Sequence, residues 1–239
     1  MLQYIYKLDQ LKNLGKKYIL SIGKRQPMHI GHKKTLEKIL SIKETKLIYV
    51  IGSANKGGDP LFNPFINPLI IDQQIEQFKY VFPNQDVIFL PIIDVKDMSK
   101  WGPSIINLLD DIGIKPEECI IHFVGKPEDK LKEKTSFYLQ DGTEVTLNSG
   151  QWLVEAMGYY GFAFWFDDEI EVDLSISARK LRELDLEHLT EDQKNIIAAP
   201  NYLLEIARKA RENNPDKEKI INDPINLKDL SIQRLRLEL

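Results

Sequence analysis

Five short apolar runs, each bounded by turn residues, recur along this chain: YILSI (18–22), LIYVIG (47–52), VIFLPII (87–93), CIIHFVG (119–125) and FAFWF (162–166). None alternates apolar with polar positions, so each is expected to form a strand covered on both faces. Helix-like segments separate the first four: HKKTLEKILSI, PLIIDQQIEQFKYVF and PSIINLLDDIG. Parallel strands need a crossover long enough to hold a helix, so this alternation predicts a parallel sheet. The expected fold is α/β, a doubly wound parallel sheet, with a helical C-terminal part. In such sheets ligands sit beyond the carboxyl ends of the strands, where strands turn into helices.

The expected organisation is an N-terminal extension (1–17), the main α/β domain (18–185) and a helical region with a tail (186–239). The stretch 52–68 carries Pro60, Pro64 and Pro68 among its glycines, and is too long for an ordinary strand-to-helix connection. It reads as a functional loop. The tail LKDLSIQRLRLEL ends in an apolar and charged alternation that fits either an edge strand or an interaction segment.

With 239 residues and 43% hydrophobic content, the chain can bury one large core. A formal net charge of -4 argues against a dominant nucleic-acid-binding face and against a polybasic membrane segment, and favours a small-molecule partner. Composition leaves homo-oligomerisation open. Cys119, the sole cysteine, excludes an intrachain disulfide and a multi-cysteine metal site, and reads as core filler. No signal-like leader and no long uncharged apolar run stands out, so a cytoplasmic protein is expected.

The first strand runs into GKRQPMHIGH (23–32), which places two of the chain's four histidines in one turn. A glycine-rich turn at the head of a helix presents backbone N–H groups and the positive end of the helix dipole, the chemistry that binds phosphate. Gly23 would allow close approach, Pro27 would stiffen the turn, and Gly31 would keep the helix entrance open between two imidazoles able to donate hydrogen bonds. A second stretch, DLSISARKLRE (173–183), offers Ser177 as a helix N-cap, with Arg179, Lys180 and Arg182 in the first turns. Cations there oppose the dipole, which points to an anion held between them. His122, inside CIIHFVG, reads as a satisfied core histidine, and His188 shows no partner in sequence.

GKRQPMHIGH resembles the G-x-F-x-P-x-H-x-G-H signature of the nucleotidyltransferase superfamily. IGSANKGGDPLFNPF resembles the G-S-x-x…N-P-F stretch of its nicotinamide mononucleotide adenylyltransferases, and ISARKLR is similar to the superfamily's second signature, I-S-x-T-x-I-R. The likeness runs from about Tyr18 to Arg182 and implies a Rossmann-like fold. It also implies transfer of an adenylyl group from ATP to the phosphate of nicotinamide mononucleotide, with release of pyrophosphate and Mg2+ bound through the ATP phosphates. Carried onto this chain, the resemblance makes His29, His32, Lys24 and Arg182 the catalytic group, with His32 nearest the reacting α-phosphate. Gly23, Arg25, Gly31, Gly125, Ser177 and Arg179 would surround ATP. Asn55, Lys56, Asn63 and Trp101 would face the acceptor, Trp101 by stacking on the pyridine ring. No protein metal ligand is implied.

Three departures are visible. Arg25 stands where the signature has phenylalanine, so either the local turn differs or Arg25 itself reaches phosphate. Arg179 replaces a threonine, and Ile70 and Ile71 lie near the usual Glu-Arg pair after N-P-F. Two alternatives stay open: a cytidylyl- or adenylyltransferase using another phosphate acceptor, and a non-catalytic nucleotide sensor. The letters HIGH with a nearby MSK (98–100) also suggest a class I aminoacyl-tRNA synthetase, but MSK follows too closely for that architecture. No Nudix box, G-x5-E-x7-R-E-x2-E-E, occurs in the sequence.

Overall fold

The computed structural model describes residues 3–5, 14–23, 25, 27–52, 54, 68–93, 100–126, 130–132, 134–138, 144–170, 190–192 and 196. Its elements in chain order are β1 (Gln3–Ile5), β2 (Tyr18–Gly23), α1 (Ile30–Leu40), β3 (Lys46–Ile51), α2 (Pro68–Val81) and β4 (Ile88–Pro91). There follow α3 (Trp101–Asp111), a 3-10 turn (Pro116–Glu118), β5 (Cys119–Val124), β6 (Lys134–Tyr138), β7 (Glu144–Asn148), α4 (Ser149–Tyr159) and β8 (Ala163–Asp167).

The sheet has six strands in the order β1-β8-β5-β2-β3-β4. Every neighbouring pair is parallel. The chain winds from β2 outward through β3 to β4, then returns to the other side of β2 for β5 and β8. That reversal puts the topological switch point between β2 and β5, where an open α/β sheet forms its ligand crevice. The α/β parallel sheet expected from the alternating runs is therefore present. β1 adds a further edge strand beside β8 from within the N-terminal extension, and the antiparallel hairpin β6-β7 stands apart from the main sheet.

Because side chains alternate along a strand, each strand feeds both faces. Ile19, Tyr49, Ile51, Ile120 and Trp165 face α1 and α2, where Leu36, Ile39 and Phe78 cover them. Leu20, Ile48, Ile121 and Phe164 face α3 and α4, where Ile105, Leu109 and Met157 cover them. Cys119 is buried in this second layer, as core filler. Among the described residues no helix is long and apolar enough to cross a membrane.

Candidate active site

β2 ends at Gly23, and after a short turn α1 starts at Ile30, with His29 as its N-cap in extended backbone (φ -133, ψ 178). The cap is built from imidazoles. Gly31 N–H donates to His29 Nδ1 at 3.2 Å, and His29 N–H donates to His32 Nδ1 at 3.3 Å. Two of the helix's orphan N–H groups are thereby satisfied. Gly31 sits close under the ring: a Cβ there would lie 3.1 Å from His29 Cε1, so a larger residue would press on the capping imidazole. The two rings sit with centroids 3.8 Å apart, tilted by 31°.

This bonding decides what the histidines can do. A neutral imidazole whose Nδ1 accepts must carry its hydrogen on Nε2, so both rings are assigned the Nε2–H tautomer. His32 is held neutral: burial first, then the neighbouring His29 and Arg25, lower its pKa from 6.5 to about 2. The head of α1 therefore sets a neutral His32 and a helix dipole at the carboxyl end of β2.

A glutamine that sequence reading passed over secures this turn. Gln77, on α2 and 1% exposed, grips the Met28 peptide from both sides. Met28 N–H donates to its Oε1 at 2.7 Å, and its Nε2 donates to Met28 O at 3.2 Å and to Ile196 O at 3.0 Å. Met28 immediately precedes the capping histidine, so Gln77 fixes the backbone from which both imidazoles project.

Beneath the turn, one transverse row of the sheet is polar. Tyr49, Ser21, His122 and Trp165 are register partners across β3, β2, β5 and β8, and so share one face. Arg25 folds over this row and is 4% exposed: its NH1 donates to Ser21 O at 3.1 Å, its NH2 donates to Ser21 Oγ at 2.6 Å, and its Cζ lies 4.8 Å from the Tyr49 ring centroid. The guanidinium expected to reach phosphate is thus spent on the strand floor. Tyr49 donates to Gln74 Oε1 at 3.2 Å, and burial pushes its phenol up to about 12.

At the other end of the row, His122 Nε2 meets Asp167 Oδ2 at 3.3 Å, and Lys38 Nζ donates to Asp167 Oδ1 at 2.6 Å and to Glu169 Oε2 at 2.8 Å. His122 is, as read from sequence, a satisfied core histidine. Burial lowers its pKa against the opposing pull of Asp167. Asp167 is the reverse case: burial works to raise its pKa, yet the His122 and Lys38 bonds hold it below the ordinary 3.8. Asp167, Lys38 and Gln77 went unread in the sequence. A signal for Gln77 exists in Gln73, Gln74 and Gln77, which fall on one helical face of α2 among apolar neighbours.

Gly125, expected near ATP, closes β5 at φ +108, a conformation that glycine adopts without strain, and its N–H donates to Asp167 O at 2.7 Å. Trp101 opens α3, half-buried against the opposite-face core. His29, His32, Gly23, Gly31 and Arg25 come together at the carboxyl end of β2. Lys24, Asn55, Lys56, Asn63, Ser177, Arg179, Arg182 and His188 lie outside the described residues, and the side chain of Ile70 is likewise undescribed.

No family model matches the chain. Among curated proteins it is 37% identical over 82 residues, 33% of this chain and 45% of the relative, to the nicotinamide-nucleotide adenylyltransferase of Sulfurisphaera tokodaii. A solved bifunctional NMN adenylyltransferase/ADP ribose pyrophosphatase from Francisella tularensis superposes with a TM-score of 0.50 at 14% identity, over 94% of this chain and 57% of that one. A NadR protein in complex with NAD and AMP-PNP gives a TM-score of 0.42 at 18% identity, over 73% of this chain and 44% of that one. The matches thus span about half of each relative's length. In its signature and over part of its sequence the chain resembles the nicotinamide-nucleotide adenylyltransferases of the nucleotidyltransferase superfamily, and in its fold it is similar to the Francisella enzyme.

Proposed function

We propose that this chain is a nucleotidyltransferase that moves the adenylyl group of ATP onto the phosphate of nicotinamide mononucleotide. The observation that carries the reading is the imidazole cap: His29 and His32, both accepting at Nδ1, at a helix head and at the carboxyl end of β2, with His32 held neutral by burial. A phosphate oxygen of the acceptor attacks the α-phosphorus of ATP, the bond from that phosphorus to the bridging oxygen of the β-phosphate breaks, and pyrophosphate leaves. The substrate supplies the nucleophile, so the protein's work is positioning and charge stabilisation.

His32 and His29 donate to the triphosphate through Nε2–H, and a neutral imidazole N–H is too weak an acid to give up that proton while charge moves to the leaving group. Lys24 and Arg182 add cationic charge in this reading, with Ser177 and Arg179 on the outer phosphates. Among the described residues no group of three or more His, Cys, Asp or Glu is placed to hold a metal, and Asp167 is committed to Lys38 and His122. In this reading magnesium would be held by the triphosphate, where it supplies charge neutralisation. Asn55, Asn63 and Trp101 are proposed for the acceptor, Trp101 by ring stacking.

The test is pyrophosphate release from ATP with nicotinamide mononucleotide, set beside other phosphate acceptors. Release that is fastest with nicotinamide mononucleotide supports the proposal. Faster release with another acceptor reassigns the substrate, and tight ATP binding without release from any acceptor leaves the nucleotide sensor.

A further inference from the structure

Arg25 is an expensive residue to keep where it is. A buried guanidinium remains charged and loses its hydration, a cost of several kcal/mol unless a carboxylate repays it. None is bonded to it among the described residues. Its company is neutral: Ser21 O and Oγ, and the ring of Tyr49. The Tyr49 phenol, raised to about 12, carries no charge near neutral pH. Asp167, the one buried carboxylate among the described residues, is bridged to Lys38 and to His122.

The polar atoms left without partners nearby are donors as well. Arg25 Nε and Gln74 Nε2 are both buried and unbonded, and Gln74 is tied to Arg25 through Tyr49. Among the described residues the floor under the imidazole cap is thus electropositive and lacks a bonded counter-charge. Stability gives no reason for this, because an apolar side chain of similar volume is often neutral or stabilising at such a position. The signature that the turn resembles carries phenylalanine there.

We propose that Arg25 is a buried counter-charge for the polyphosphate of the substrate, a positioning residue that holds the end of β2 and acts on the bound phosphates through its field. The inference rests on the reading of the α1 head as a triphosphate site and deepens it. Arg25 lies four residues before His29 in the same turn, and its charge is felt by both His32 and His122, lowering the pKa of each after burial has done so. A unit charge at roughly 10 Å in a medium of effective dielectric near 20 changes an anion's affinity by about tenfold or somewhat more.

The experiment compares wild type with Arg25→Met, Arg25→Gln and Arg25→Lys, measuring thermal unfolding and the binding of ATP, inorganic tripolyphosphate and adenosine. Arg25→Met is expected to unfold at a higher temperature than wild type without ligand, yet to bind ATP and tripolyphosphate about tenfold more weakly. Adenosine binding is expected to stay unchanged, and Arg25→Lys is expected to keep most of the phosphate affinity. Should Arg25→Met fold poorly, Arg25→Gln removes the charge while keeping hydrogen-bonding capacity. Unchanged tripolyphosphate affinity in the charge-free variant that folds, or equal losses for tripolyphosphate and adenosine, would overturn the proposal. Wild-type protein that binds neither ATP nor tripolyphosphate would overturn the phosphate reading itself, a result separate from any difference among the variants.

Discussion

The two faces of the central sheet are made from the same strands and each buries an apolar layer, but they differ in the polar groups set into it. Under α3 and α4 the buried layer is apolar, with Leu20, Val50, Ile121, Phe164 and Phe166 packed on Ile105 and Leu109. Under α1 and α2 the same strands contribute Ser21, Tyr49, His122 and Asp167, and the helices add buried Thr35, Gln73, Gln74 and Gln77. Both faces contribute stability by burying apolar area, but only the one under α1 and α2 also carries costly polar groups that hold a turn in place. The difference between them amounts to a functional map, since a fold keeps buried polar groups where a site needs them.

The contrast can be broken most sharply by substitutions that fall on one face only. Phe164→Ala, in the apolar layer, should destabilise the fold by about 3–5 kcal/mol in urea unfolding and leave turnover per folded molecule unaltered. His32→Ala, on the polar face, should do the opposite. Stability should fall only by about 1 kcal/mol for the lost cap bond, while turnover falls by two or more orders of magnitude, equivalent to roughly 3 kcal/mol for a preorganised donor. A near wild-type turnover would remove His32 from the chemistry.

Gln77→Ala should fall between them. Freeing the Met28 peptide leaves buried backbone groups unpaired and should cost about 1–3 kcal/mol of stability. Unlike Phe164→Ala, it should also lower turnover, because the imidazole cap loses its anchor.

The last effect is absent at neutral pH and grows in acid. His32 resists protonation down to about 2, whereas in the unfolded chain it titrates near 6.5. Below 6.5 the unfolded state binds a proton that the folded state refuses, so stability falls as pH drops. His32 contributes a slope of up to about 1.4 kcal/mol per pH unit between roughly pH 6 and 4, and His32→Gln should flatten it. Asp167 acts in a different window: its stabilisation is present above 3.8 and is lost as pH falls further, through its depressed folded value. Urea unfolding at stepped pH separates the two.

Most of the sheet was legible because doubly covered strands must be continuously apolar, and the runs at 18, 47, 87, 119 and 162 fall on β2, β3, β4, β5 and β8 with small boundary shifts. The turn at 23–32 was legible because its histidines and glycines sit at a strand-to-helix corner. What escaped depends on long-range pairing. Gln77 reads as one polar residue of an amphipathic helix until Met28 is placed against it, and Lys38 reads as an ordinary surface lysine until β8 brings Asp167 within 2.6 Å. The β6-β7 hairpin and α4 were left unassigned because their segments are short and mixed in polarity. The direction of Arg25 is set by tertiary contacts too: Ser21 and Tyr49 draw it under the turn, the alternative in which the local turn differs from the signature.

The central claim is that the His29 and His32 Nε2–H groups donate to polyphosphate, and it is tested most directly by following the imidazole nitrogens by NMR during titration with ATP. Both rings should begin as the neutral Nε2–H tautomer, and their Nε2 signals should move together as ATP binds. ATP that binds while both imidazole spectra stay unmoved would contradict the account.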